Sequence, residues 1–269
     1  MLKTPLIAAA MAMTVLPAAV LAMSAEDFVR VQVRPGWQTA SGSRMAAIEI
    51  ILAPGWKTYW RQPGDAGIPP VLDLSGSANL ANAQIHWPMP TAFDQFGMTT
   101  LGYAERVVLP LELMPREAGE VAVSAHLSIG ICNEVCVPAD FTLDFTLDGS
   151  GRPDPAIEGA LATMPATAAQ GGYGPAACDA EPIADGLRVT IEVEPGAGDG
   201  ARFAVIETGD PTIWVSPAEI TTVAGRYRVA ADLVPEDARP FILDRSAMRL
   251  TLLGDDAAVE FLGCQTRGG

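Results

Sequence analysis

The sequence predicts an all-β protein, built as two immunoglobulin-like antiparallel β-sandwich domains joined by a short helix and a linker. Three observations predict it. Phe141-Thr142-Leu143-Asp144-Phe145-Thr146-Leu147-Asp148 alternates apolar and polar without a break, and Leu187–Val193 does the same, which is the period of a half-buried strand. The 22 prolines and 26 glycines punctuate many short runs with turns. Only one stretch, Ala156–Met164, reads as a helix.

The elements follow in order. In the first unit the candidate strands are Val29–Val33, Met45–Leu52, Val71–Leu74, Gln84–Trp87, Arg106–Leu113, Val121–Ile131 and Phe141–Leu147. Pro54-Gly55 and Gly64-Asp65 mark turns, and seven or so strands at this spacing suggest an immunoglobulin-type sandwich. Gly149-Ser150-Gly151-Arg152-Pro153-Asp154-Pro155 is a loop by composition, the helix follows, and Pro165 to Pro175 reads as a linker. The second unit offers Leu187–Val193, Arg202–Ile206, Arg226–Ala230, Met248–Leu253 and Val259–Leu262. The expected organisation is 1–22 leader, 23–150 first domain, 151–175 helix and linker, and 176–269 second domain.

Lys3 precedes an apolar run from Pro5 to Leu21 broken only at Thr14, and Val20-Leu21-Ala22 supplies the small and aliphatic residues of a cleavage site. Residues 1–22 therefore read as a secretory signal peptide, with Ala25 the second choice of site. No later run approaches ~18 apolar residues, so no membrane insertion is expected after cleavage. The mature chain should meet an oxidising compartment, where disulfides persist. The net charge of −15, from 17 basic and 32 acidic residues, excludes nucleic acid and anionic lipid as natural partners.

Cys132-Asn133-Glu134-Val135-Cys136 is the most informative segment. The thiols lie between two strand-like runs, at the turn of an expected hairpin. In extended chain their Cα atoms would stand roughly 13 Å apart, too far for a bridge without a turn. A structural bridge is the alternative reading, but so short a loop gains little chain-entropy stabilisation. Glu134 lies between the thiols, Asp140 follows, and no Lys, Arg or His is close in sequence, so the expectation is poorly ionised thiols. Cys178 and Cys264 bracket the second unit and are expected to form a structural disulfide. His86 and His126 lie in the first unit; a thiolate–imidazole metal site is conceivable, but a surface or hydrogen-bonded sheet histidine is the reading adopted, with no metal or cofactor. Trp56, Tyr59 and Trp60 are either sandwich core or part of a partner-binding face. Gly55, Gly64 and Gly67 read as turns where positive φ is cheap. The scattered methionines form no copper-carrier cluster, and no Ser-His-Asp order, phosphate-binding loop or paired-carboxylate site stands out.

Gly55-Trp56-Lys57-Thr58-Tyr59-Trp60-Arg61-Gln62-Pro63-Gly64-Asp65-Ala66-Gly67-Ile68-Pro69, Trp87-Pro88, Phe93-Asp94-Gln95-Phe96-Gly97 and Ile131-Cys132-Asn133-Glu134-Val135-Cys136-Val137-Pro138 together carry a resemblance. They resemble the N-terminal periplasmic domain of the DsbD thiol:disulfide interchange family and the related suppressor-of-copper-sensitivity membrane reductases. The resemblance covers about 26–165, and more weakly the second unit. It implies an immunoglobulin-like fold, a redox pair at Cys132 and Cys136 with Cys136 attacking and Cys132 resolving, and a cap formed by Phe93, Asp94, Gln95 and Phe96, with Phe93 or Phe96 as shield. The thiols here are three residues apart, where the best-known members have five. It implies periplasmic electron relay between a membrane thiol reductase, here expected to be encoded separately, and thioredoxin-like periplasmic proteins. That is protein-disulfide-reductase-like chemistry. A non-catalytic β-sandwich adaptor and a copper-handling protein are the alternatives.

Overall fold

The computed structural model describes residues 24–266 apart from 96, 197–199 and 238. The expected leader at 1–22 and Phe96 lie outside the described residues. The fold is all-β, as expected, with ten strands in each of two units among the described residues.

The first unit comprises β1 (Val29–Gln38), β2 (Arg44–Leu52), β3 (Lys57–Gly64), β4 (Val71–Asp73), β5 (Leu80–Ile85), β6 (Thr91–Gln95), β7 (Met98–Ala104), β8 (Arg106–Pro115), β9 (Val121–Cys132) and β10 (Cys136–Leu147). One sheet runs β1-β2-β8-β5; the other runs β10-β9-β3-β7-β6, with β4 also on β9. Alternate residues of β9 (Val121, Val123, Ala125, Leu127, Ile129, Ile131) point inward to meet Ile48, Ile50, Leu111 and Leu113 of the opposite sheet. Trp60, fully buried, fills the middle. The helix α1 (Pro155–Ala162) starts at Asp154, whose carboxylate accepts from the backbone N–H of Ala156 and Ile157. Its buried Ile157 packs on Met45, Ala47 and Val108, the outer face of the first sheet. With helix on one face and core on the other, β2 is buried almost throughout.

Three strands of this unit were not expected: β3, β6 and β7. The reason is local. The β3–β7 pairing is irregular between Tyr59 and Gly64, where Pro63 has no N–H to donate, so period-2 alternation is broken just there. A second bulge, between Leu80 and Asn82, hides the start of β5, which begins four residues before the expected Gln84.

The second unit comprises β11 (Ala166–Thr167), β12 (Ala177–Pro182), β13 (Leu187–Val193), β14 (Phe203–Glu207), β15 (Ile213–Val215), β16 (Glu219–Val223), β17 (Arg226–Pro235), β18 (Arg249–Leu253), β19 (Ala258–Leu262) and β20 (Gln265–Thr266). Its sheets run β11-β19-β18-β14 and β15-β17-β13-β12-β20, with β16 also on β17. Two short pairings, β11–β19 and β12–β20, are parallel. The stretch read as linker therefore contributes β11 to a sheet. The apolar alternation of β13 and β17 builds this core, with Val189, Ile191, Val229 and Leu233 at its centre.

The units meet through side chains of both. Val205, Leu253 and Ala258 of the second join the first unit's core. Arg61 of β3 reaches across to Glu207 (3.0 Å) and Glu260 (2.7 Å) while its guanidinium lies 4.1 Å over the Trp60 ring.

Candidate functional site

The β9–β10 hairpin presents the cysteines. Cys132 ends β9, Cys136 begins β10, and the two face each other across the ladder. Asn133, Glu134 and Val135 make the turn, bringing the Cα atoms to 4.1 Å, and the sulfurs are bonded. The two sulfurs differ in access. Cys132 is 1% exposed, whereas Cys136 and its neighbour Val135 are exposed. An incoming sulfur nucleophile therefore meets Cys136 first.

Tyr59, on β3, reaches Cys136 from below: its hydroxyl stands 3.2 Å from the sulfur. Burial raises the phenol pKa, so the hydroxyl keeps its proton and donates it to the sulfur. The ring occupies a slot walled by two glycines. A Cβ on Gly67 would come within 2.7 Å of the ring, and one on Gly130 within 3.1 Å. This corrects the expectation for Gly67. Gly55 and Gly64 do adopt positive φ (82° and 83°), but Gly67 is required for close approach to Tyr59 instead.

The β6–β7 hairpin overlies the sulfurs. Gln95, the last residue of β6, points its amide nitrogen at Cys132 Sγ (3.0 Å) and more distantly at Cys136 Sγ (3.9 Å). Phe93 lies under the ammonium group of Lys57, 4.6 Å from its ring centroid. Asp94 is exposed and turns back to accept from the Gly97 N–H (3.5 Å). Among the described members of the expected cap, Gln95 is the one that touches sulfur.

Sequence proximity also missed a cation. Lys57 pairs with Cys132 in the β3–β9 ladder, 75 positions away along the chain. Nothing in the local sequence around Cys132 signals that neighbour. Of the three aromatics in the segment, only Tyr59 belongs to the site. Trp56 stacks on Phe28 (4.2 Å between centroids) and Trp60 is core.

The histidines face carboxylates away from the sulfurs: His86 lies 3.2 Å from Glu112 and His126 3.6 Å from Asp140. Among the described residues no three His, Cys, Asp or Glu side chains gather as a metal set. Cys178 and Cys264 are bonded to each other at a Cα separation of 5.6 Å, where β12 runs beside β20. Among the described residues no helix is long and apolar enough to cross a membrane.

An immunoglobulin-type sandwich holding a bonded, half-accessible cysteine pair at a hairpin tip belongs to the class of thiol–disulfide exchange domains. The comparisons agree. Residues 25–147 match the model of the family described as thiol:disulfide interchange protein DsbD, N-terminal. The solved N-terminal periplasmic domain of ScsB from Proteus mirabilis is 25% identical, with 92% of this chain and 97% of that one covered at a TM-score of 0.64, so the likeness extends into the second unit. The reduced N-terminal domain of DsbD from Neisseria meningitidis aligns at 18% identity over 50% of this chain and 96% of its own, with a TM-score of 0.29. No curated protein matches the chain. Residues 25–147 thus match a thiol:disulfide interchange domain of the DsbD N-terminal type, with the cysteine pair in place.

Proposed function

We propose that this protein relays electrons in the periplasm through Cys132 and Cys136, from a membrane thiol reductase to thioredoxin-like proteins or other disulfide substrates. The observation that carries the proposal is the asymmetry of the pair, a buried Cys132 beneath an exposed Cys136. An exchange protein needs one sulfur open to a partner and one held back to resolve the mixed disulfide. A bridge whose only role is to pin a turn needs neither. The periplasmic placement rests on the leader expected at 1–22 and on the periplasmic domain to which the chain is similar.

In this reading reduced Cys136 attacks a substrate disulfide, and Cys132 then displaces the substrate's sulfur to close the pair. Phe93, Asp94, Gln95 and Phe96 form the cap beside the pair, and Tyr59 supports Cys136 from within the sheet. The first domain, 23–150, carries the chemistry. The second, 176–269, is fastened by Cys178–Cys264 and braces the first through the Arg61 contacts.

Trapping tests this. Cys132→Ser should accumulate mixed disulfides with thioredoxin-like partners through Cys136, and Cys136→Ser should not, because Cys132 is buried. Equal trapping by both variants would overturn the order of attack. Trapping by neither would favour the adaptor reading.

A further inference from the structure

We infer that Gln95 is a catalytic residue of the exchange reaction: its amide N–H holds the negative charge that develops on Cys132 when the disulfide opens. The inference rests on the exchange reading and adds to it a group that sets the pair's reactivity.

Consider reduction of the oxidised domain by a partner dithiol. The partner's thiolate attacks Cys136 Sγ, the exposed sulfur. A new S–S bond forms, the Cys132–Cys136 bond breaks, and its electron pair goes to Cys132 Sγ, which leaves as a thiolate. The partner's second thiol gives its proton to solvent, attacks the mixed disulfide and expels Cys136 as a thiolate. The partner ends as a disulfide, and this domain has gained two electrons and takes up protons according to its thiol pKa values. A leaving thiolate departs faster the better its charge is held.

Cys132 is the sulfur whose charge is costly, because it is 1% exposed and water does not reach it. The groups around the pair are Lys57 and Tyr59 from β3, Gln95 from β6, and Asn133 and Glu134 of the turn, while Asp94 of β6 turns back to the Gly97 N–H. Lys57 carries its ammonium over the Phe93 ring, and the Tyr59 hydroxyl is directed to the other sulfur. Gln95 donates to Cys132 at 3.0 Å. A neutral amide stabilises a thiolate without fixing a counter-charge, so the resolving thiol stays nucleophilic in the reverse direction. Cys136 is exposed while Gln95 rests on Cys132, so a partner's sulfur reaches Cys136 with the donor still in place.

The test is a titration of the Cys132 thiol by thiolate absorbance in a Cys136→Ala background, comparing Gln95, Gln95→Ala and Gln95→Glu. Loss of a hydrogen bond to a charged group should reduce the thiolate population at a given pH roughly tenfold or more, which raises the pKa by about one unit or more. Gln95→Glu, of the same shape, should raise it further. In a Cys132→Ala background the Cys136 thiol should move much less. The rate at which dithiothreitol reduces the intact pair should fall in both Gln95 variants. A Cys132 pKa unchanged by both substitutions, or shifted no more than that of Cys136, would overturn the assignment. The titration needs no partner, so it stands or falls separately from the relay itself.

Discussion

Removing Arg61 should loosen the two units from one another at a cost that can be estimated from the contacts. Its guanidinium donates to both oxygens of Glu207 (3.1 and 3.2 Å from Nε), to Glu260 (2.7 Å) and to Thr251 (3.4 Å), and it stacks on Trp60. The side chains retain 12%, 23% and 21% of their exposure for Arg61, Glu207 and Glu260. Exposed ion pairs contribute about 0–1 kcal/mol, and breaking a fully buried one costs about 3–5 kcal/mol. Four-fifths burial places Arg61→Met between them, at about 2–3 kcal/mol, because two carboxylates lose the cation they share and Glu260 keeps only the longer contact with Arg249 at 3.7 Å. Glu207→Gln/Glu260→Gln in the same background should recover a large part of that loss, with a coupling of about 1–2 kcal/mol. Urea unfolding followed by tryptophan fluorescence reads both. A cost below about 0.5 kcal/mol, or no recovery on neutralising the carboxylates, would show that the contact is a bystander.

Other consequences concern stability and the site. Burial alone would raise the Glu49 pKa, but hydrogen bonds from Gln32, Arg34 and Arg106 outweigh it and hold the carboxyl at about 2, below its usual 4.5. A depressed folded pKa means that its stabilisation is present above about pH 4.5 and lost as pH falls toward about 2. The full contribution is about 3 kcal/mol, so the deficit of Glu49→Gln in urea titrations should shrink between pH 6 and pH 2.5. Gly130→Ala would put a Cβ 2.6 Å from Ile68 and 3.1 Å from Tyr59. It should displace the phenol and alter the rate of Cys132–Cys136 reduction in the same direction as Tyr59→Phe; an unaltered rate in both would remove Tyr59 from the site. Cys178→Ser/Cys264→Ser should cost about 2–5 kcal/mol, measured in the same urea assay, while dithiothreitol still reduces Cys132–Cys136 at the parental rate.

What could be read from the chain was what lies close together along it. The alternation of 141–148 and 187–193 foretold β10 and β13, and the Cys132–Cys136 hairpin was visible because strand, turn and strand are contiguous. What escaped depends on pairing between distant segments. Strand β3 carries Lys57, Tyr59 and Arg61, yet its register shift before Gly64 erases the alternation that would reveal it. Lys57 became a neighbour of Cys132 only through the β3–β9 ladder. Gln95 was named only as part of the cap that the resemblance implied, and the fold of the β6–β7 hairpin is what brings its amide to sulfur. The interface of Arg61 with Glu207 spans 146 positions, and no local pattern reports it.

The central claim is that the Cys132–Cys136 bond is made to open. Its reduction potential tests that most directly, measured on the intact chain in glutathione and dithiothreitol buffers with alkylation of the freed thiols and peptide mass analysis. The account predicts a value between roughly −200 and −270 mV, the range of proteins that exchange disulfides. A value below about −300 mV would mark the bond as a structural staple and contradict the relay.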